Sequence, residues 1–373
     1  GANAAFFIVN GTTAAVQAMI LTACKKGDKI ILPRNVHRSV INAMILCGAV
    51  PVYINPQMNE ELGIALGMKL SDVQKAIEEN PDAKAVLVNN PTYYGICSNL
   101  KAITELAHAN NMLALVDEAH GTHFYFGENM PISAMAAGAD MSSVSMHKSG
   151  GSLTQSSFLL CGKNVNSQYV RQIINLTQTT SGSYLLLSSL DISRRNLALH
   201  GKDIFRYVVE MVEYARHEIN QIGDYYAYSR ELINGDRVFD FDITKLSVNT
   251  FETGLAGIEV YDLLRDEYDI QIEFGDLGNI LAYVSVGDNY KNIERLIGAL
   301  SEIRRLYKKD KTGMLRHEYI PPKVKFGPQD GFYGAKEQVA LDASNGRICS
   351  EFVMCYPPGI PILAPGEEIT EEI

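Results

Sequence analysis

The sequence predicts an α/β protein: a large domain with a mostly parallel sheet and helices on both faces, followed by a smaller α+β C-terminal domain. Three observations predict it. Between residue 5 and about residue 160, short β-branched or apolar runs alternate with amphipathic stretches, the order that parallel strands joined by helical crossovers require. Those runs are apolar throughout, as strands buried on both faces are. Past residue 222 the order changes to strand, helix, strand, strand, helix.

In chain order the strands of the large domain read "FFIV", "DKIIL", "VPVYI", "AKAVLV", "MLALV", "MSSVSM" and "SFLLC". Helical periodicity fills 13–25, 39–47, 71–79 and 100–110, and a long helical region runs from 184 to 222. The smaller unit reads strand "KLSVNTFET", helix "GIEVYDLLRDEY", strand "DIQIEFG", strand "NILAYVSVG" and helix "NYKNIERLIGALSEIRRLYKK". The alternation in "LAYVSVG" predicts one face packed on the two helices and the other facing water. Domains are therefore expected at 1–222, 223–310 and 311–373, the last a segment that completes the site. Its closing "CYPPGIPILAPGEEITEEI" is too rich in proline for a helix interior.

At 373 residues the chain exceeds what one hydrophobic core ordinarily supports. A formal charge of -10, with no cluster of Lys or Arg, disfavours nucleic acid and suits a small cationic substrate. No stretch reaches the roughly 18 uninterrupted apolar residues of a membrane span. Six cysteines without a CxxC pair fit reduced thiols, hence a soluble cytoplasmic protein. The apolar run from Ala4 begins almost at once, so an upstream segment is expected.

In sheets of this kind ligands gather beyond the carboxyl ends of the strands, and four segments fall there. In "VNGTTAAVQ" a strand ends at Asn10, and Gly11, Thr12 and Thr13 open a helix. That is a cup for a phosphate or an ordinary cap. In "PRNVHRSV" His37 sits between a strand and a helix. In "LALVDEAHGTHF" Asp117 ends the most apolar strand, as a helix cap or as a buried charge awaiting a cation. In "SVSMHKSGGSLTQSS" Lys148 follows a strand beside His147, where desolvation makes an amine nucleophilic. A snorkelling surface lysine is the bland alternative.

One cofactor accounts for all four. Pyridoxal 5'-phosphate needs a lysine for its aldehyde, an acid for its ring nitrogen, a flat group on the ring and a helix start for its phosphate. Lys148, Asp117, His37 and Gly11–Thr13 match in turn, with Ser145 and His147 as further phosphate donors. Ala119 belongs to the same cofactor-binding loop, and His120 suits the ring's phenolic oxygen or the substrate carboxylate.

At these residues the sequence resembles the fold type I pyridoxal-phosphate enzymes, and more closely the Orn/Lys/Arg decarboxylase family. The matching pieces are "FFIVNGTTAAVQAMI", "PRNVHRSV", "NNPTYYG", "LVDEAHGTHF", "SVSMHKSGGSLTQSS", "TQTTSGSYLLLSSLD" and "GRICSEFVMCYPPGIPILAPGEEI", in order along nearly the whole chain. The resemblance implies that Lys148 holds the cofactor covalently, Asp117 pairs with its ring nitrogen and His37 stacks on it. Thr12, Thr13, Ser145 and His147 then hold the phosphate, and His37 and His147 join Lys148 as candidates for returning a proton to Cα. It also implies a homodimer, with loop 179–184 reaching a neighbouring subunit; Gly182 stands there where proline is expected.

The short C-terminal part resembles members that make agmatine from arginine or cadaverine from lysine, which implies polyamine synthesis. A basic side chain needs a facing acid. Glu351, after "GRICS", is the expected one, with Glu367, Glu368 or a second subunit's acid as alternatives. Two rival functions use the same residues: a fold type I aminotransferase or acyl-transferring synthase, and a metal protein using the Asp117, His120 and His123 spacing.

Overall fold

The computed structural model describes residues 1–314, 318–355 and 359–373. Part of the expected "YPPGIP" motif, residues 356–358, lies outside them. In the large domain seven strands form one sheet: β1 (Ala4–Ile8), β2 (Lys29–Pro33), β3 (Val50–Ile54), β4 (Ala85–Asn89), β5 (Leu113–Asp117), β6 (Met141–Val144) and β7 (Ser157–Cys161). Their spatial order is β1-β7-β6-β5-β4-β2-β3. All neighbours are parallel except β7, which runs antiparallel to both β1 and β6. All seven strands coincide with the runs read from the sequence.

Strand alternation divides the core into two faces. Ile30, Leu32, Leu87 and Leu115 pack with helices α1 (Gly11–Ala23), α2 (Arg38–Cys47) and the Ser167–Thr177 helix. Ile31, Val86, Val88 and Val116 pack on the other face with α3 (Leu70–Glu79) and α4 (Leu100–Ala109). Both faces are therefore dry, which is why these strands read as continuous apolar runs. Helix α5 (Met146–Ser149) is a single turn after β6, and α6 (Tyr184–Ile222) is the long helix the sequence predicts.

The smaller sheet has four antiparallel strands in the order β8-β9-β11-β10: β8 (Tyr226–Ala227), β9 (Lys245–Asn249), β10 (Phe274–Gly275) and β11 (Asn279–Tyr283). Leu246, Val248, Ile280 and Ala282 form the face that packs with α6, α7 (Gly257–Tyr268) and α8 (Tyr290–Tyr307). The opposite face is where the sequence expectation fails. Lys245, Ser247, Asn249, Asn279 and Leu281 are buried rather than wet, because the large domain covers them. Ser247 Oγ donates to the Tyr94 carbonyl at 3.4 Å, and Asn279 Nδ2 to the Leu62 carbonyl at 2.7 Å.

The C-terminal segment is fastened to the large domain. At the end of β2 the Arg34 guanidinium forms a two-pronged pair with Glu367 at 2.7 Å on each arm, and also donates to the Pro361 carbonyl at 3.1 Å. Lys325 pairs with Glu368 at 2.9 Å. All six cysteines are free, and no helix among the described residues is long and apolar enough to cross a membrane.

Candidate active site

Gly11 opens α1 at φ +74, a left-handed conformation that glycine adopts without strain, and donates its N–H to the Gln155 carbonyl at 2.8 Å. A Cβ placed on it would meet open space. The start of α1 is thus open on that side. Thr12 Oγ1 is hydrogen-bonded to the Ser145 and Ser157 hydroxyls, the latter at 2.6 Å, so hydroxyls from α1, β6 and β7 meet at one helix start. Thr13 is exposed.

Lys148 stands in α5, directly after β6. The glycines that follow let the chain turn beneath it: at Gly150 a Cβ would lie 2.7 Å from the Met146 carbonyl oxygen. Asp117 closes β5 beside it, and Ser143, its neighbour across to β6, donates to Oδ1 at 3.2 Å, as does the Ala119 N–H at 3.3 Å. Asp117 is buried, yet among the described residues no cation pairs with it within 4 Å. A buried carboxylate in that state calls for a cation.

His37 caps α2, its Nδ1 accepting from the Ser39 N–H at 3.2 Å. Burial lowers its pKa; Asp117 pulls it up and Lys148 down, so the three charges feel one another. His147 is half-buried, and its Nδ1 donates to the Ser156 carbonyl at 3.0 Å. Burial lowers its pKa too. Its Nε2 therefore offers a lone pair and becomes a donor to phosphate only as imidazolium.

His120 is buried between two lysines, Lys148 Nζ at 2.9 Å from Nε2 and Lys245 Nζ at 3.2 Å from Nδ1. Tyr93 meets its ring edge-on at 4.6 Å. Desolvation first, then both lysines, holds His120 well below the ordinary histidine range. Burial likewise lowers the Lys148 pKa, against the pull of Asp117 and Glu273. Lys245 is pushed down to about 7, by burial foremost, with Asp242 opposing and Lys148 adding to it.

Sequence reasoning missed Lys245, Tyr93, Tyr283 and Glu273. Lys245 Nζ lies 3.4 Å from the centre of the Tyr283 ring. Glu273 is exposed, accepts from the Tyr93 hydroxyl at 2.5 Å, and its charge is felt at both Lys148 and Lys245. The one available signal was a lysine opening an otherwise apolar strand in "KLSV".

Two of the acids expected for the substrate's far end are already paired. Glu367 is taken by Arg34 and Glu368 by Lys325, while Glu351 is exposed on the C-terminal segment. The metal reading also loses its geometry. His123 turns away from His120, to Asp242 at 2.9 Å and Ser149 at 3.2 Å, because Gly121 breaks the chain before a turn of 3-10 helix. Among the described residues no three His, Cys, Asp or Glu side chains are placed to share an ion.

These residues fit pyridoxal phosphate: a desolvated amine, an unpaired buried carboxylate and an open hydroxyl-lined helix start share the carboxyl edge of one sheet. The comparisons with known proteins agree. The profile of the Orn/Lys/Arg decarboxylase major domain matches residues 1–262, and that of its C-terminal domain residues 322–373. The arginine decarboxylase of Halalkalibacterium halodurans is 45% identical over 378 residues, spanning all of this chain and 76% of that protein. The arginine decarboxylase of Bacillus subtilis is 43% identical over 376 residues, spanning all of this chain and 77% of that one. Among solved structures, the lysine decarboxylase of Francisella novicida superposes with a TM-score of 0.84 at 20% identity, over all of this chain and 64% of its own, a likeness of fold. The chain belongs to the Orn/Lys/Arg decarboxylase family.

Proposed function

We propose that this protein decarboxylates arginine to agmatine with pyridoxal phosphate, with lysine to cadaverine as the next reaction, in a cytoplasmic route to polyamines. The observation that carries the reading is similarity over 98–100% of this chain and 76–80% of theirs, at 42–45% identity, to four proteins named arginine decarboxylase, against 22–23% to lysine decarboxylases.

In this reading Lys148 is the amine that joins the cofactor, Asp117 keeps the ring nitrogen protonated and His37 covers one ring face. Gly11, Thr12, Thr13, Ser145 and His147 take the phosphate, with Ala119 lining the cofactor. Bound there, the cofactor supplies a conjugated cationic ring that accepts the electron pair left on Cα as carbon dioxide departs. The protein's own part is to hold that bond upright, exclude water and return a proton to Cα, from Lys148 or from His37 or His147. For the substrate's cationic end we favour Glu273 over Glu351, since its charge already reaches Lys148.

Self-association into a homodimer or higher oligomer belongs to the same proposal. Leu176, Tyr184 and Leu185 are 79%, 84% and 76% exposed, with Ile192 and Leu199 continuing the stripe along α6. The loop carrying Gly182 lies within it, near the strand that leads into the proposed phosphate site, where Val9 N–H donates to Gln178 Oε1 at 3.0 Å. An apolar stripe of that kind marks a surface that a second copy covers. The domain limits 1–222, 223–310 and 311–373 remain part of the proposal.

The test is a product screen over arginine, lysine and ornithine with added pyridoxal phosphate. Carbon dioxide and agmatine from arginine are expected. A 2-oxo acid in their place would make the protein an aminotransferase.

A further inference from the structure

We propose that His123 is a positioning residue for Lys148: held by Asp242 from the small domain, it fixes Ser149 and with it the single helical turn that carries the reactive amine. The inference deepens the reading of Lys148 as that amine and rests on it.

The turn needs support from outside itself. Helix α5 is four residues long, and its own ties are the Gly150 N–H to the Met146 carbonyl at 2.8 Å and the Lys148 N–H to the Ser145 carbonyl at 3.3 Å. A single turn of helix is not stable alone. His147 fastens it on one side, its N–H reaching the Ser156 carbonyl at 3.3 Å. On the other side the 3-10 turn Thr122–Tyr125 grips the chain both before and after Lys148. Thr122 Oγ1 donates to the Ser145 carbonyl at 2.7 Å, and His123 Nδ1 meets Ser149 Oγ at 3.2 Å. Thr122, His123, Ser145 and Ser149 are all buried, so water does not compete for either contact.

The neighbours of His123 also decide where its hydrogen sits. Asp242 Oδ1 accepts from the Thr244 N–H at 3.1 Å and from the Thr244 hydroxyl at 2.7 Å. Both groups that face His123 Nε2, Asp242 Oδ1 at 2.9 Å and Thr244 Oγ1 at 3.2 Å, therefore offer it lone pairs. Nε2 carries the hydrogen, and the neutral ring presents its Nδ1 lone pair to the Ser149 hydroxyl. Bound at both nitrogens, and packed against Phe124 and Phe205 at 4.7 and 5.6 Å between ring centres, the imidazole is held in one orientation.

Asp242 is fixed in its turn. Its N–H donates to the Gly95 carbonyl at 2.8 Å, and Arg216 from α6 donates to the Ile243 and Lys245 carbonyls at 3.3 and 3.0 Å. The path from the small domain to the reactive amine runs Asp242, His123, Ser149, Lys148, each step a hydrogen bond or a peptide link. Gly121 makes it possible: a Cβ there would lie 2.7 Å from Glu118 Cγ and 3.1 Å from Pro91 Cδ, so the approach of the 3-10 turn to α5 needs a glycine. The link matters because a misplacement of about 1 Å, caused away from the chemistry, can slow a reaction on the order of 10²-fold.

The test follows the absorbance of the aldimine that forms when saturating pyridoxal phosphate is added to the full chain stripped of cofactor, beside the melting temperature of each cofactor-free protein. His123→Gln keeps a donor toward Asp242 and removes the acceptor that faces Ser149; Ser149→Ala removes the hydroxyl. Each is expected to slow aldimine formation about tenfold. The double variant is expected to be no slower than either single one, because both changes cut the same link. An unchanged rate in either folded variant overturns the proposal, whatever the melting temperature does. Slowing that multiplies in the double variant overturns it as well, since the two residues then act separately. If His123→Gln does not fold, His123→Leu with Asp242→Asn, which strands no charge, replaces it under the same criteria. Borohydride trapping on Lys148 in the wild type tests the underlying reading separately: no label there removes that reading, whereas label with unslowed variants removes only the role of His123.

Discussion

Arg34 and Lys245 are both buried basic residues, one just past a strand of the large sheet and one opening a strand of the small sheet, each linking two parts of the chain, yet their surroundings differ in kind. Arg34 meets Glu367 through two parallel hydrogen bonds and two backbone carbonyls, and Glu367 in turn accepts from the Ala364 N–H at 2.7 Å. Lys245 meets an imidazole and an aromatic ring, with another lysine beyond. In the first network each charge is met by its opposite, and protonation is locked: the pair with Glu367 outweighs desolvation and raises the Arg34 pKa. In the second, desolvation outweighs every favourable partner and the pKa falls. A satisfied pair fixes its own protonation, whereas a buried amine with no paired carboxylate titrates within reach of neutral pH.

The largest contrast should appear when each network loses its principal cation. Lys148→Ala is expected to lower kcat/KM for arginine on the order of 10³-fold or more, while thermal unfolding stays near the wild-type temperature, since no paired carboxylate is stranded. Activity and calorimetry on the same preparation check both halves. A large fall in stability would place Lys148 with the structural ions. Arg34→Met is expected to do the reverse. Removing one partner of a buried pair costs about 3–5 kcal/mol, read by urea unfolding, whereas turnover per folded molecule changes little. The double variant Arg34→Met with Glu367→Leu should recover much of that loss, because no unpaired charge is left inside.

A sharper version compares adjacent carboxylates. Glu118 follows Asp117, and accepts from the Tyr125 hydroxyl at 2.5 Å, Ser142 Oγ at 2.8 Å and the Ala134 N–H at 2.9 Å. Its burial outweighs those donors and pushes its pKa up to about 8. In the unfolded chain a glutamate titrates near 4.3, so between these values the folded protein keeps a proton that the unfolded chain has released. Stability contributed by that proton is fully present below the unfolded value and is lost as pH rises through about 8. Glu118→Gln is therefore expected to flatten the stability profile between about pH 4 and 8, with the largest gain over wild type at the alkaline end. Urea midpoints across that range measure it. An equal change at all pH values would mean that Glu118 is ionised in the folded state.

The same contrast explains what could be read from the sequence. The strands of the large domain were legible because burial on both faces leaves the runs continuous, although their order in the sheet was not, and the ends of β5 and β6 could be read at Asp117 and just before Lys148. "PGE" was equally visible, but its partner Arg34 is 333 residues away, and no local pattern says that Glu367 is structural. Lys245 was hidden for a different reason. The alternation of its sheet was read correctly, but which face meets water depends on where the large domain docks, and that is a tertiary fact. His120 was placed at the site, but its contact with Lys245 joins segments 125 residues apart and has no local sequence signal. Glu351, chosen by its neighbours in sequence, shows among the described residues one hydrogen bond, from the Cys349 thiol to its carbonyl at 3.1 Å.

The smallest expected effect concerns the substrate's far end, where Glu273 and Glu351 compete. An exposed carboxylate costs little to keep charged while the site is empty. It gains when a guanidinium displaces water from it, by about 1.5–3 kcal/mol for a charge-assisted hydrogen bond. Glu273 is such a group, steadied by the Tyr93 hydroxyl and carried by the strand region that also presents Lys245 and Tyr283. Glu273→Gln removes the charge and keeps the shape, so KM for arginine should rise about tenfold or somewhat more while kcat moves less, the pattern of lost uniform binding. Glu351→Gln should leave both values near wild type. The opposite outcome, KM moved by Glu351 alone, would transfer the role to the C-terminal segment and make the exposed Glu273 a contributor to the field at Lys148 and Lys245 only.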